Sequence, residues 1–272
     1  MTHITAETLD AIVEKLERNI FPIASPNSYI VIRLDGISFS KYTRSVCREK
    51  PFDSIFNDAM SSAARACQAR VNALFTYVQS DEITLVIAPT LTPNSAHIYG
   101  GRSHKIITDM ASLASVYFDR HMCHHSDRAK MIAPGNFDGR CFITDSLDDV
   151  ILLLYSRVHS CYRNIISMAA TEILSSKARH GVSTRELIAA LAAHNTPIEQ
   201  YSDRVRFGEM LVRSKIAIPP NDPRWNDVPT AHRPTEPVIR AVLNNHTPRN
   251  VNNYNAFQEE CMGWIQNVST AP

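Results

Sequence analysis

Residues 74–88 read LFTYVQSDEITLVIA, and this stretch decides the fold that the sequence predicts. It contains two β-prone segments, Leu74–Gln79 and Ile83–Ala88, which are separated only by Ser80-Asp81-Glu82. Two strands joined by so short a turn form an antiparallel hairpin. We therefore expect this hairpin to supply the central strands of an antiparallel sheet.

The segments on either side of the hairpin extend this sheet. Tyr29–Leu34 is a short apolar run rich in β-branched residues, which is typical of a buried strand, and a helix is expected over Asp53–Arg70. After the hairpin, a helix is expected over Arg102–His121 and a strand over Phe137–Thr144. This βαββαβ order is that of ferredoxin-like folds, in which one antiparallel sheet carries its helices on one face. The predicted fold class is therefore α+β.

Further elements are expected before and after this unit. Apolar periodicity and a capping hydroxyl predict an N-terminal helix over Ala6–Asn19. Capping residues also predict a long helix from Ser146 to Ser176 and a shorter one from Ser183 to Ala193. The segment Arg204–Arg213 is expected to form one more strand.

The composition changes towards proline and asparagine from Pro219 onwards. We interpret this change as a linker that leads to helices near Thr235–Asn244 and Asn255–Val268. The predicted organisation is one domain over residues 1–218 and a small helical appendage over residues 219–272.

The charge and composition of the chain exclude several classes of protein. Lys+Arg 28 against Asp+Glu 27 leaves a formal net charge of +1, so any nucleic-acid site must come from local clusters of cations. No apolar run reaches the ~18 residues of a membrane span, and the acid-rich N-terminus does not resemble a targeting peptide. The 6 cysteines are scattered without a CxxC pair, which favours free thiols in a reducing cytoplasm.

Two carboxylates stand where chemistry is expected. Asp35 ends the first strand and Asp81 lies in the hairpin turn, and these strands are neighbours in a βαββαβ sheet. Both side chains can therefore lie at one edge of the sheet, where they and the Gly36 carbonyl can hold two Mg²⁺ ions and the phosphates of a nucleotide. Asp-Gly and Ser-Asp-Glu are also ordinary turn formers, so the spacing alone leaves a purely structural role open.

Short motifs recur along residues 20–213 in the order found in one family. They are Ile32–Phe39 with Thr43, Lys50–Asp53, Tyr77–Ile83, Gly101–Lys105, Phe137–Arg140, Arg157 with Tyr162–Asn164, His180–Glu186 and Arg206–Gly208. Through these motifs the chain resembles the tRNA(His) guanylyltransferase-like family, whose members add nucleotides in the 3′-to-5′ direction. Tyr162-Arg163-Asn164 stands where many members carry His-x-Asn-Asn, so the chain resembles a divergent branch.

The resemblance implies a palm-like catalytic domain that uses GTP, with ATP as a further substrate, and two Mg²⁺ ions. It implies that Asp35 and Asp81 are catalytic and hold the metals with Gly36, while Glu82 is a support residue. The residues expected to bind the nucleotide are Asp35, Gly36, Ile37, Ser38, Phe39, Ser40, Lys50, Asp53, Ser80 and Asp81. The residues expected to contact tRNA are Arg102, Lys105, Arg140, Arg157, Arg163 and Asn164. The resemblance also implies a homotetramer built as a dimer of dimers.

Four alternatives stay open at this stage. The same palm and metals could cyclise or transfer a nucleotide without tRNA, and a catalytically lapsed chain could only bind RNA. The run His121-Met-Cys123-His124-His125 could bind zinc, but its spacing matches no closed structural site and a polar loop is favoured. Any one of the arginines, Arg163 included, could instead pair with an acid inside the fold.

Overall fold

The computed structural model describes residues 22–90, 95–125 and 134–269, together with Ala11. The N-terminal helix predicted over residues 6–19 therefore lies outside the described residues, apart from Ala11. Within the described ranges, none of the helices combines the length and the apolar character that a membrane crossing requires.

The described elements alternate between strands and helices over most of the chain. The strands are β1 Tyr29–Gly36, β2 Phe75–Gln79, β3 Glu82–Ile87, β4 Phe137–Thr144, β5 Glu209–Ile218 and β6 Val238–His246. The helices are α1 Phe39–Val46, α2 Ser54–Val71, α3 Ser103–His125, α4 Leu147–Thr171, α5 Ser176–Arg179, α6 Thr184–Ala193, α7 Asp203–Phe207 and α8 Tyr254–Ser269.

The six strands form one sheet in the order β4-β1-β3-β2-β5-β6, and every neighbouring pair is antiparallel. The first four strands have the ferredoxin-like order, so the predicted βαββαβ arrangement is confirmed. The central hairpin of β2 and β3 pairs Gln79 with Glu82 across the turn, as its short connection requires.

Successive side chains of a strand point to opposite faces of the sheet. Apolar side chains on both faces are covered by helices. Ile30, Ile32 and Leu34 of β1 pack with α2 and α3 in one buried cluster. Val31, between them, belongs to the opposite cluster with α4, α6 and α8. The prediction of helices on one face therefore holds for α2 and α3, and the later helices cover the other face.

Two predictions for the C-terminal third are wrong. The segment predicted as a strand from Arg204 begins as α7, because Ser202 caps a helical turn and Gly208, at φ 78°, redirects the chain before β5. Residues 235–244 were predicted to be helical, but they contribute to β6, which pairs with β5 from Met210–His246 to Ile218–Val238. The helix predicted over Asn255–Val268 is confirmed as α8.

The predicted boundary at Pro219 falls in the connection between two paired strands, β5 and β6. Beyond it, Phe257 and Cys261 of α8 are fully buried in the same cluster as α4. The C-terminal segment therefore contributes β6 to the sheet and α8 to the core.

Candidate active site

The end of β1 and the β2–β3 turn meet at one edge of the sheet. The Gly36 amide donates a hydrogen bond to the Asp81 carbonyl over 3.0 Å, and Asp35 stands opposite Glu82 in the β1–β3 register. Asp35 and Asp81, separated by the whole of α2 in sequence, are thus brought to the same place. This is the juxtaposition that a carboxylate metal site requires.

A third acidic residue at this edge was not singled out from the sequence. Asp138 of β4 is the cross-strand partner of Asp35, so both side chains project from the same face of the sheet. Asp138 belongs to the Phe137–Arg140 motif, in which only Arg140 was selected. Only the register of β4 against β1 shows that Asp138 lies beside Asp35.

The electrostatics of Asp35 reflect this crowding. Burial, followed by the charges of Asp81, Glu82 and Asp138, raises its pKa from 3.8 to about 6, and Arg33 acts in the opposite direction. Repulsion from the neighbouring carboxylates disfavours the ionised form of Asp35, and a bound cation would favour that form.

The donors at this edge suit Mg²⁺, which prefers carboxylate and carbonyl oxygens. Among the described residues, no group of three or more His, Cys, Asp or Glu side chains is arranged to hold a metal by itself. A site with two carboxylates is compatible with that result, because Mg²⁺ is usually bound through one or two carboxylates together with the phosphates of a substrate.

A tight strand–turn–helix connection follows Asp35. A Cβ on Gly36 would lie 2.4 Å from the Phe39 ring, and Ser38 adopts a left-handed conformation with φ 59° immediately before α1. The Gly36 amide is engaged by Asp81, and the Ile37 amide donates to the Asn136 carbonyl over 2.8 Å. The amides of Ser38–Ser40, at the N-cap and first turn of α1, belong to the part of a helix where amides have no intrahelical partner.

A cavity of about 690 Å³ adjoins this edge. The β2–β3 turn, α1, α2, α4 and α7 enclose it, and Ser40, Ser80 and Asp81 line the end near the carboxylates. The exposed Lys50 also lines the cavity, and its Nζ donates to the Thr43 carbonyl over 3.0 Å. The volume is within the range of small-molecule sites.

Asp53, a predicted nucleotide contact, is buried and already engaged. Its carboxylate accepts hydrogen bonds from the amides of Phe56 at 2.9 Å, Arg48 at 2.9 Å and Glu49 at 3.2 Å. These bonds cap α2 and close the loop that carries Lys50. Asp53 thus shapes the cavity wall through the backbone.

The cavity wall also contains a second buried acid that the sequence did not reveal. Glu209 accepts a hydrogen bond from the Ser61 hydroxyl over 2.5 Å, and Arg204 Nε lies 3.3 Å from the same carboxylate. Arg204 also donates to Asp58 over 2.9 Å. Because these residues come from α2, α7 and β5, no local pattern could have grouped them.

The predicted tRNA contacts divide into two groups. Arg102, Lys105, Arg140, Arg163 and Asn164 are exposed. Arg157 differs, because its side chain is only 15% exposed and its Nε lies 3.1 Å from Glu82 Oε1. The structure therefore places Arg157 against the sheet, where it pairs with an acid.

The histidine-rich run forms the last turn of α3, where a polar loop was expected. The His121 and His125 rings are 4.6 Å apart, one helical turn from each other. This run supplies no metal site in the described part of the chain.

Two of the family-like motifs meet on the face of the sheet that carries α4. The Tyr77 hydroxyl donates to the Phe207 carbonyl over 2.6 Å, across 130 residues of sequence. A Cβ on Gly208 would lie 2.6 Å from both this hydroxyl and the Val78 carbonyl. The two motifs are therefore parts of one packing contact between β2 and the start of β5.

The sheet order and the acidic edge beside a cavity define an α+β domain of the palm-like class. A family model described as tRNAHis guanylyltransferase (Thg1) matches residues 11–145. This match and the curated relatives described as tRNA(His) guanylyltransferases support the tRNA(His) guanylyltransferase-like family for this chain.

Curated relatives point to the same family. The chain is 30% identical over 152 residues to the tRNA(His) guanylyltransferase of Schizosaccharomyces pombe, covering 56% of this chain and 54% of that protein. It is 28% identical over 193 residues to an uncharacterized protein of Acanthamoeba polyphaga mimivirus, covering 64% of this chain and 65% of that protein. The chain thus spans about half to two thirds of the length of these relatives.

Solved structures share the fold. A bacterial tRNA(His) guanylyltransferase-like protein in complex with GTP aligns with a TM-score of 0.66 at 18% identity, over 95% of this chain and 97% of that chain. The complex of such a protein with ATP aligns with a TM-score of 0.64 at 22% identity, over 76% and 88% of the two chains.

Proposed function

We propose that this protein is a Mg²⁺-dependent nucleotidyltransferase that adds a nucleotide, from GTP, to the 5′ end of a tRNA in the 3′-to-5′ direction. The observation that carries the proposal is the meeting of Asp35 and Asp81 at one sheet edge, next to a cavity of about 690 Å³. The family match supports the reaction class, and the nucleotide complexes of the structural neighbours support a triphosphate as substrate.

Asp35, Asp81 and the main-chain carbonyl of Gly36 would hold the Mg²⁺ ions. When bound, the metal neutralises the triphosphate and lowers the pKa of the attacking hydroxyl. The charges that raise the pKa of Asp35 support this assignment, because an added cation would relieve their repulsion.

The chain's own residues would bind and orient the nucleotide. The amides of Ser38–Ser40 face the phosphates from the helix start, as in other anion sites at helix N-termini. Lys50 adds a point charge on the cavity wall, which is the usual role of a lysine beside phosphate. Orientation and charge balance of this kind supply most of the catalysis in phosphoryl transfer.

In the proposed reaction the 5′-monophosphate of the RNA first receives a nucleotidyl group from a nucleoside triphosphate, with release of pyrophosphate. The 3′-hydroxyl of the incoming nucleotide then attacks the 5′ phosphate and displaces the nucleoside monophosphate. The exposed cations Arg102, Lys105, Arg140 and Arg163 would hold the RNA backbone. Tyr162-Arg163-Asn164 would contact the RNA near its 5′ end in place of the motif that many family members carry.

The test is transfer of label from α-³²P-labelled GTP to mixed tRNA in the presence of Mg²⁺. The tRNA is used with its 3′ end oxidised by periodate, so that addition at that end is blocked. We expect label at the 5′ end of the RNA, and no label with Asp81→Asn. Label recovered only in a small molecule would favour nucleotide cyclisation or another tRNA-independent transfer. Tight tRNA binding without any transfer would identify a lapsed, RNA-binding chain.

A further inference from the structure

Glu82 is a buried acid immediately after the hairpin aspartate. Its residue is 9% exposed, and it shares the face of the sheet with its cross-strand partner Asp35. A carboxylate in this position could contribute a third acidic ligand or additional repulsion at the metal edge.

The contacts of Glu82 point the other way, towards two arginines. Arg157 of α4 places its Nε 3.1 Å from Oε1, and Arg33 of β1 places its Nε 4.0 Å from Oε2. Gln79 Nε2 donates to the same Oε1 over 3.2 Å, and the Thr84 hydroxyl lies 3.5 Å from it. Oε1 is therefore engaged inside the fold by Arg157 and Gln79, and Oε2 faces Arg33 at ion-pair distance.

Arg157 and Glu82 form a buried pair, since their side chains are 15% and 11% exposed. Removing one partner of such a pair leaves the other as an uncompensated charge in a poorly solvated site. The uncompensated charge here would be a carboxylate next to Asp81 and opposite Asp35. It would be free to turn towards the edge where the metals are proposed to bind.

We propose that Arg157 is a positioning residue for the metal–nucleotide site, and that it acts by holding the Glu82 carboxylate away from Asp35 and Asp81. This inference rests on the proposed function. It replaces the direct tRNA contact that the sequence predicted for Arg157. A freed Glu82 carboxylate would disturb the neighbouring ligands Asp35 and Asp81 and would repel the net-negative Mg²⁺–GTP complex. Loss of groups that keep metal ligands in place typically changes metal affinity 10–100-fold.

The experiment measures binding of Mg²⁺–GTP by calorimetry and the melting temperature, using the full chain. The variants are Arg157→Met, Arg157→Lys, Glu82→Gln and the double variant Arg157→Met/Glu82→Gln. Arg185→Met is the matched control, because it removes one exposed arginine from α6 and lowers the net charge equally. The double variant is decisive, because neutralising Glu82 removes the charge that Arg157 is proposed to restrain.

We expect Arg157→Met to bind Mg²⁺–GTP at least about tenfold more weakly than the wild type and the control. The double variant should recover most of that loss, and Arg157→Lys should recover part of it. A lowered melting temperature is expected as well, but a purely structural role would give that result without the recovery in the double variant.

Three results would overturn the inference. The first is an unchanged Mg²⁺–GTP affinity in Arg157→Met. The second is a double variant that binds Mg²⁺–GTP as weakly as Arg157→Met does. The third is a wild type that does not bind Mg²⁺–GTP. A wild type that binds Mg²⁺–GTP but labels no RNA would refute the proposed transfer reaction alone, and the comparison of variants would still decide the role of Arg157.

Discussion

Asp35 and Asp138 stand directly opposite each other on β1 and β4, with both carboxylates on the face of the sheet that carries α4. Two acids in such a cross-strand pair repel each other unless a cation lies between or beside them. Asp138 is one of the charges that raise the pKa of Asp35. The pair therefore marks this edge as a place where a bound cation would stabilise the folded protein.

Removing either proposed metal ligand should abolish nucleotide transfer. We expect Asp35→Ala and Asp81→Ala to lose transfer to tRNA by a factor of at least about 10³, because each removes a carboxylate that neutralises and orients the metal. Both variants should stay folded, since neither side chain is part of the buried core. Near-normal transfer by either variant in Mg²⁺ would contradict the assignment, and the exposed Asp227→Asn serves as the control.

The stability of the metal-free protein should depend on pH through Asp35. Its pKa is raised from 3.8 to about 6 on folding. Between these values the unfolded chain loses the proton while the folded chain keeps it, so the contribution of Asp35 to stability falls as pH rises through that window and is constant above it. The free energy of unfolding of Asp35→Asn, relative to that of the wild type, should therefore increase from pH 4 to about pH 6.

Thermal unfolding in EDTA across that pH range checks this sign. If the melting temperature of Asp35→Asn instead falls relative to that of the wild type as pH rises, the fold stabilises the ionised carboxylate and the prediction is wrong. Adding Mg²⁺ at neutral pH should raise the melting temperature of the wild type and leave that of Asp35→Asn nearly unchanged.

Gly208 should be required for stability, and Gly181 provides the matched comparison. Both have positive φ, at 78° and 74°, but a Cβ on Gly208 would lie 2.6 Å from the Val78 carbonyl, whereas Gly181 has nothing within 4 Å. We expect Gly181→Ala to cost about 1–2 kcal/mol from the backbone alone. Gly208→Ala should cost about 3 kcal/mol or more, because overpacking is added to backbone strain.

Chemical denaturation of the two alanine variants measures this difference. Equal losses would mean that the contact between Tyr77 and the Phe207–Gly208 turn tolerates a methyl group. In that case the turn would be less tightly packed than its geometry indicates.

Arg163 should contribute to tRNA affinity through phosphate and not through base recognition. Each phosphate neutralised by a cation releases about 0.7–0.9 counterion, so Arg163→Ala should lower the slope of affinity against salt by about that amount. Binding should weaken similarly for different tRNAs. Filter binding at several salt concentrations, with Arg185→Ala as the control, gives the slopes. An unchanged slope together with a lower melting temperature would mean that Arg163 is structural.

The protein is expected to assemble beyond a dimer. A homotetramer is the assembly implied by the family resemblance, and the net charge of +1 leaves little long-range repulsion between copies. Light scattering at micromolar concentration should give a mass close to four chains. A monomer mass would contradict the expectation.

Local sequence was sufficient for the elements whose signals are short-range. The turn between Gln79 and Glu82, the apolar strand β1 and the capping box at Ser183 each depend on residues close together in the chain. Their order implied the sheet, and the sheet implied that Asp35 and Asp81 share an edge. Prediction was wrong at β6, because a strand that pairs along its whole length gains its hydrogen bonds from β5 and not from its own neighbours.

Only the tertiary structure decided which charged residues face one another. Asp138 joins Asp35 through the β1–β4 register, and Arg157 reaches Glu82 because α4 lies across the sheet above β3. Glu209 meets Ser61 and Arg204 where three elements converge. Residue type indicates that a side chain carries charge, but its partner depends on register and on helix placement. Those are set by burial of apolar side chains over the whole sheet, which no single stretch of sequence contains.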